Sequence, residues 1–75
     1  MSNNMKIRER HYIERHATEL LAGATLEAYG YVWTMRQIDE NVWSIRKQSV
    51  DEHILGALTW YEVGYYGVNV ERCLR

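Results

Sequence analysis

Two β-rich runs lie so close together that they must pair, and this constrains the chain more than any other feature. Tyr31-Val-Trp-Thr-Met-Arg-Gln-Ile38 and Val42-Trp-Ser-Ile-Arg-Lys-Gln48 are separated only by Asp39-Glu40-Asn41. That spacing predicts a hairpin with a three-residue connection in which Asn41 takes the left-handed position. Pairing Ile38 with Val42 sets the register. One face then carries Tyr31, Trp33, Met35, Trp43 and Ile45, with Lys47 at its edge; the other carries Val32, Thr34, Arg36, Ser44 and Arg46. The first face is the apolar one and is expected to be buried.

Helical periodicity precedes the hairpin. From Lys6 onward, Ile13, Ala17, Leu20, Leu21 and Ala24 form one stripe of a 3.6-residue period, while Arg10 and Arg15 stand four residues before Glu14 and Glu19. The helix is expected to end near Ala22, before Gly23; the alternative is a longer helix through Leu26 and Ala28 that stops at Gly30. After the hairpin, Ser49-Val-Asp-Glu52 reads as a capping box, and Val50, Ile54, Ala57, Leu58 and Tyr61 define an inward stripe ending at Gly64. Tyr66, Val68 and Val70 alternate with smaller or polar residues in a last strand that ends near Leu74. The expectation is an α+β domain over residues 6–75 in the order α-β-β-α-β, preceded by a tail of residues 1–5. Its three-stranded, antiparallel-rich sheet would carry both helices on the Trp33/Trp43 face.

With 75 residues there is room for one domain, and the single cysteine, Cys73, excludes an internal disulfide. Nine basic residues against ten acidic ones give no global field for gathering phosphates. No apolar run approaches the length of a membrane span and the start is polar, so a cytoplasmic protein without membrane attachment is expected.

Catalytic and metal chemistry find little support. His11 and His16 are five residues apart, roughly 140° around a helix axis, and do not share a face as an i, i+4 pair does. Ser44 falls mid-strand, Ser49 is engaged in a cap, and the acidic pairs Asp39-Glu40 and Asp51-Glu52 suit a turn and a helix start. The chain is therefore read as non-enzymatic, with no cofactor and no metal.

Three tryptophans and six tyrosines, with no phenylalanine, exceed what so small a core needs and suit an interface. Trp60 falls about 120° off the inward stripe of the second helix. It shares a side with His53 and Gly56, and these three with Tyr65 and Tyr66 form the candidate partner surface, open also to self-association as a homodimer. The alternative is nucleic-acid binding through Lys6, Arg8, Arg10 and Arg15 on the first helix with Arg36 and Arg46 on the outer hairpin face; interleaved glutamates rank it second.

The layout of the last 35 or so residues (hairpin, Ser-Val-Asp-Glu helix start, Trp60-Tyr61, a glycine, and Val68-Asn-Val-Glu-Arg-Cys73 as closing strand) resembles small phage-encoded host-modulating inhibitors. The T7-type inhibitor of bacterial RNA polymerase is one of these. The resemblance implies a phage or mobile-element inhibitor that occludes a surface of a larger bacterial protein or complex.

Overall fold

The computed structural model describes residues 5–67, with the side chains of residues 65–67 left aside. Two short helices, α1 (Ile7–Arg15) and α2 (Ala17–Leu21), lead into β1 (Leu26–Ala28), β2 (Tyr31–Asp39) and β3 (Val42–Ser49). A five-residue helix, α3 (Val50–Ile54), and β4 (Tyr61–Gly67) follow. The strands form one antiparallel sheet in the order β1-β2-β3-β4. The protein is α+β, with one strand more than expected and with the single opening helix expected up to Ala22 broken into α1 and α2 at His16, whose φ of −111° and ψ of 19° leave the helical range; the part of the last strand placed at Val68–Leu74, Cys73 included, lies outside the described residues.

The hairpin register follows from burial. Met35 pairs with Ile45 and Trp33 with Lys47, the alignment that pairing Ile38 with Val42 implies. At the tip, however, the ladder shifts and Asp39 meets Val42. Ile38 becomes the extra residue and the connection shrinks to Glu40-Asn41. Asp39 Oδ1 accepts from the Glu40 amide at 2.7 Å, and Asn41 has no left-handed φ. The bulge absorbs the turn that Asn41 was expected to make.

β1 was not foreseen. It returns to β2 through Tyr29-Gly30, whose φ values of 58° and 80° are both positive, as a type I′ connection requires. Tyr29 is the only non-glycine residue with positive φ among the described residues. Its ring is held by an edge contact with Tyr12, 5.8 Å between centroids, and by Arg8 stacked 4.8 Å away. Space around Gly30 is open, so replacing it tests backbone strain alone. Gly30→Ala is expected to cost about 1–2 kcal/mol in urea unfolding; an unchanged midpoint would contradict the turn geometry.

The core is built on the expected face. Met5, Ile13, Leu20, Trp33, Met35, Ile45 and Val63 form one buried cluster, with Tyr12, Tyr31 and Trp43 packed at its margin. Met5, counted with the tail from the sequence, belongs to this core, and its Cε would lie 3.0 Å from a Cβ placed on Gly64. The Trp33 indole donates to the Ala28 carbonyl at 3.0 Å, so its one polar atom is satisfied. Glu9 is buried with Lys47: its carboxylate accepts from the Lys6 amide at 3.0 Å and lies 3.8 Å from Lys47 Nζ, which sits over the Tyr31 ring at 4.3 Å. The expected pairing of Arg15 with Glu19 is replaced by His16, whose Nδ1 is 2.7 Å from Glu19 Oε1.

The helices do not share a face. α1 and α2 cover the Trp33 side, whereas the chain after β3 folds onto the opposite side. Gln48, one residue past the inward Lys47, points outward and is fully buried there. Its Nε2 donates to the Ala57 and Thr59 carbonyls, both at 2.7 Å. The second helix is also far shorter than the stripe predicted. Gly56, at φ 77°, closes it: the Gly56 amide donates to the His53 carbonyl (3.1 Å) and the Ala57 amide to the Glu52 carbonyl (2.9 Å). That pair of bonds is a Schellman ending. Gly64, expected as the stop, lies within β4 instead, facing Met5 and Ile45.

Candidate functional site

The segment from Ser49 to Tyr61 is the least explained by folding. Ser49 caps α3 as expected, its Oγ accepting from the Glu52 amide at 3.2 Å. Beyond the cap, three of the five residues expected to face inward, Ile54, Leu58 and Tyr61, are exposed, while Val50 and Ala57 are half-buried. Leu55 is 84% exposed and Leu58 91%, with Ile54 and Tyr61 also largely in solvent, and α3 has no buried residue. The physical reason is the early stop at Gly56. Once the helix ends there, Leu58 and Tyr61 no longer follow a helical period, and Tyr61 becomes the first residue of β4. Four large apolar side chains within eight residues thus project from one segment.

That segment is held firmly from beneath. The Gln48 amide uses both hydrogens on the Ala57 and Thr59 carbonyls, so Oε1 serves as an acceptor, and His53 Nδ1, 3.1 Å away, is the donor. Trp60 is half-buried: Arg46 stacks on its ring at 5.0 Å and His53 meets it edge-on at 6.4 Å. Beside them Arg36 pairs with Glu62 at 2.7 Å. The finger-like segment Ile54–Tyr61 therefore has a fixed root (Gln48, His53, Trp60, Arg46) and an apolar, solvent-facing crest.

The partner residues expected from the sequence divide accordingly. His53 and Trp60 come together, but as part of the root; Trp60 lies on no helix and does not flank a glycine notch. Gly56 shapes the crest through its backbone, with open space where a side chain would be. Tyr65 and Tyr66 pair with Ser44 and Trp43 in β4, and their side chains fall outside the described set. The residues missed are Leu55 and Leu58. A glycine eight residues ahead of Gly64 and one turn after a capping box was the available signal.

The basic residues of the nucleic-acid alternative are not brought together. Arg8, Arg10 and Arg15 lie on α1, with Lys6 capping its start, over the Trp33 face, whereas Arg36 and Arg46 project from the opposite face and are engaged by Glu62 and Trp60. Around α1, burial, with the Glu19 carboxylate and Tyr29 behind it, raises the Tyr12 phenol above its ordinary value. The Arg10 Nε and Ser44 Oγ atoms are buried without a hydrogen-bond partner. Among the described residues no three His, Cys, Asp or Glu side chains converge as a metal site would need, and no helix is long and apolar enough to cross a membrane.

No family model matches the chain, and neither a curated protein nor a solved structure shows significant similarity to it.

Proposed function

We propose that the chain is a non-enzymatic protein-binding module that places the Ile54–Tyr61 crest in an apolar cleft of a larger bacterial protein and occludes it. The single observation that carries this is the exposure of Leu55 and Leu58 on a backbone already locked by the Schellman ending and the Gln48 amide. Exposed leucines on a mobile loop would lose much of their binding energy to ordering; here that cost is largely met on folding. Clustered apolar groups with a polar rim are also what soluble proteins otherwise avoid presenting. A phage or mobile-element inhibitor working in the bacterial cytoplasm is the setting that the sequence resemblance suggests. The division of the cations between two opposite faces favours this reading over a nucleic-acid groove.

The test compares tagged wild-type protein with Leu55→Glu/Leu58→Glu in capture from a bacterial lysate, followed by titration with the purified partner. The expected result is one partner retained by the wild type and bound roughly 100-fold more weakly by the double variant, about 2.7 kcal/mol. Near-UV circular dichroism should be unchanged, because both positions are solvent-facing. Equal capture by both proteins would reject the crest as the binding surface.

A further inference from the structure

The crest has a counterpart on the molecule's other side. α1 presents Ile7, 72% exposed, with Arg8, His11 and Arg15 also in solvent along one ridge, and Tyr29, itself exposed, lies under Arg8. Of the two α1 glutamates, Glu9 is withdrawn into the core beside Lys47, which leaves Glu14 as the exposed acid on that helix. With Arg8 and Arg15 exposed and Glu14 off that side, the ridge is basic with an apolar edge, whereas Arg10 is half-buried on the helix's other side. The crest is the reverse: Asp51 stands one helical turn before Leu55 on the same side of α3, with Glu52 next to it, and no Lys or Arg occurs from Ser49 to Glu62. Of the nearest sheet cations, Arg36 is paired with Glu62 and Arg46 lies over the Trp60 ring at the root, away from the crest.

We propose that the crest of one copy docks on the α1 ridge of a second copy, head to tail, with Leu55 and Leu58 against Ile7 and Tyr29 and the exposed Asp51 facing Arg8 and Arg15. This deepens the binding-module reading and rests on it, since it names a second copy as one occupant of the same crest. The two surfaces lie on opposite faces of the sheet, so they cannot meet within one molecule. The contact is heterologous: each copy offers one donor and one acceptor surface, and association continues into short chains instead of closing as a two-fold dimer. A crest of this size buries on the order of 1,000 Å² in total, at the low end of specific interfaces. Association is therefore weak, in the range of tens to hundreds of micromolar, and salt-sensitive.

Sedimentation velocity at low salt from about 10 μM to 1 mM tests this. The wild type should show a mass that climbs continuously past the dimer and falls back toward the monomer in high salt. Leu58→Glu, which disables the crest, and Arg8→Glu/Arg15→Glu, which disables the ridge, should each be monomeric when alone. Mixed in equal amounts they retain one intact crest and one intact ridge, and should form a 1:1 dimer that grows no further. A wild type that stays monomeric, a ridge variant that associates as well as the wild type, or a mixture that fails to pair would each overturn the proposal. Loss of a lysate partner in Leu55→Glu/Leu58→Glu, with a monomeric wild type, would leave the binding-module reading standing while removing self-association.

Discussion

Trp33→Ala should cost the chain a large part of its stability and move its urea midpoint far below that of the wild type. Trp33 has no exposed surface, sits at the centre of the only core cluster among the described residues, and spends its indole N–H on the Ala28 carbonyl that anchors β1. Truncating a buried tryptophan costs roughly 3–5 kcal/mol in transfer and cavity terms. A domain of 75 residues has only roughly 4–11 kcal/mol in total. The substitution also strips Lys47 of part of its aromatic cover, 5.7 Å from the indole, and leaves β1 tied by a three-residue ladder alone. Near-UV circular dichroism and urea titration are the measurements. A cooperative transition with a midpoint near that of the wild type would mean that the core is not centred where the structure puts it.

The second large effect is expected at Gln48. In Gln48→Glu, a carboxylate would face the Ala57 and Thr59 carbonyls that the amide now serves, with its charge buried. His53 Nδ1 could still donate to one carboxylate oxygen, but the other would face the two carbonyls without a donor, and a buried charge so poorly compensated costs roughly 3–5 kcal/mol near neutral pH. Burial and the two carbonyl dipoles raise the introduced carboxyl's pKa in the folded state above its unfolded value. A raised acid of this kind stabilises most below the unfolded pKa, near 4.3, and loses that contribution as pH rises through the folded value. The protonated acid can still donate one hydrogen bond where the amide donated two. The deficit of Gln48→Glu relative to wild type should thus shrink on acidification toward pH 4 and widen toward pH 7. Gln48→Leu, which carries no charge, should cost about 2 kcal/mol with no such pH dependence. A pH-independent deficit in Gln48→Glu would show that the side chain turns away from the carbonyls and that the crest is not fastened as described.

The parts of the fold that were legible in the sequence are those where one arrangement alone buries the large apolar groups. The β2–β3 register is the clearest: a one-residue slip would send Trp33, Met35 and Ile45 to the wrong face. The end of α2 was legible because Gly23 interrupts the stripe two residues after Leu21, and it closes that helix with the same pair of bonds that Gly56 makes in α3. The same reasoning applied at Gly56 would have found the shorter helix. It was overridden because Ile54, Leu58 and Tyr61 happen to repeat at helical spacing, and a pattern of apolar residues cannot distinguish side chains that seek a core from side chains left for another molecule. β1 was obscure for two reasons. Leu26-Glu-Ala28 has helical rather than strand propensity, and a tyrosine with positive φ announces no turn. Gln48 was invisible as a fastening, since a polar residue on an outward strand position reads as solvent-facing until something is known to cover it.

The Glu9–Lys47 contact has a consequence for how the opening helix finds its place. An apolar stripe as small as Ile13, Ala17 and Leu20 would tolerate sliding by a turn along the sheet, because greasy surfaces fit one another in several ways. A lone carboxylate drawn under the sheet's cover tolerates no such ambiguity: only one alignment brings it to the lysine, and every other leaves an ion stranded without water. The pair adds little to the depth of the native basin, but sliding the helix by a turn would separate the two ions at the cost of a buried, poorly compensated charge, which weighs against that alternative docking.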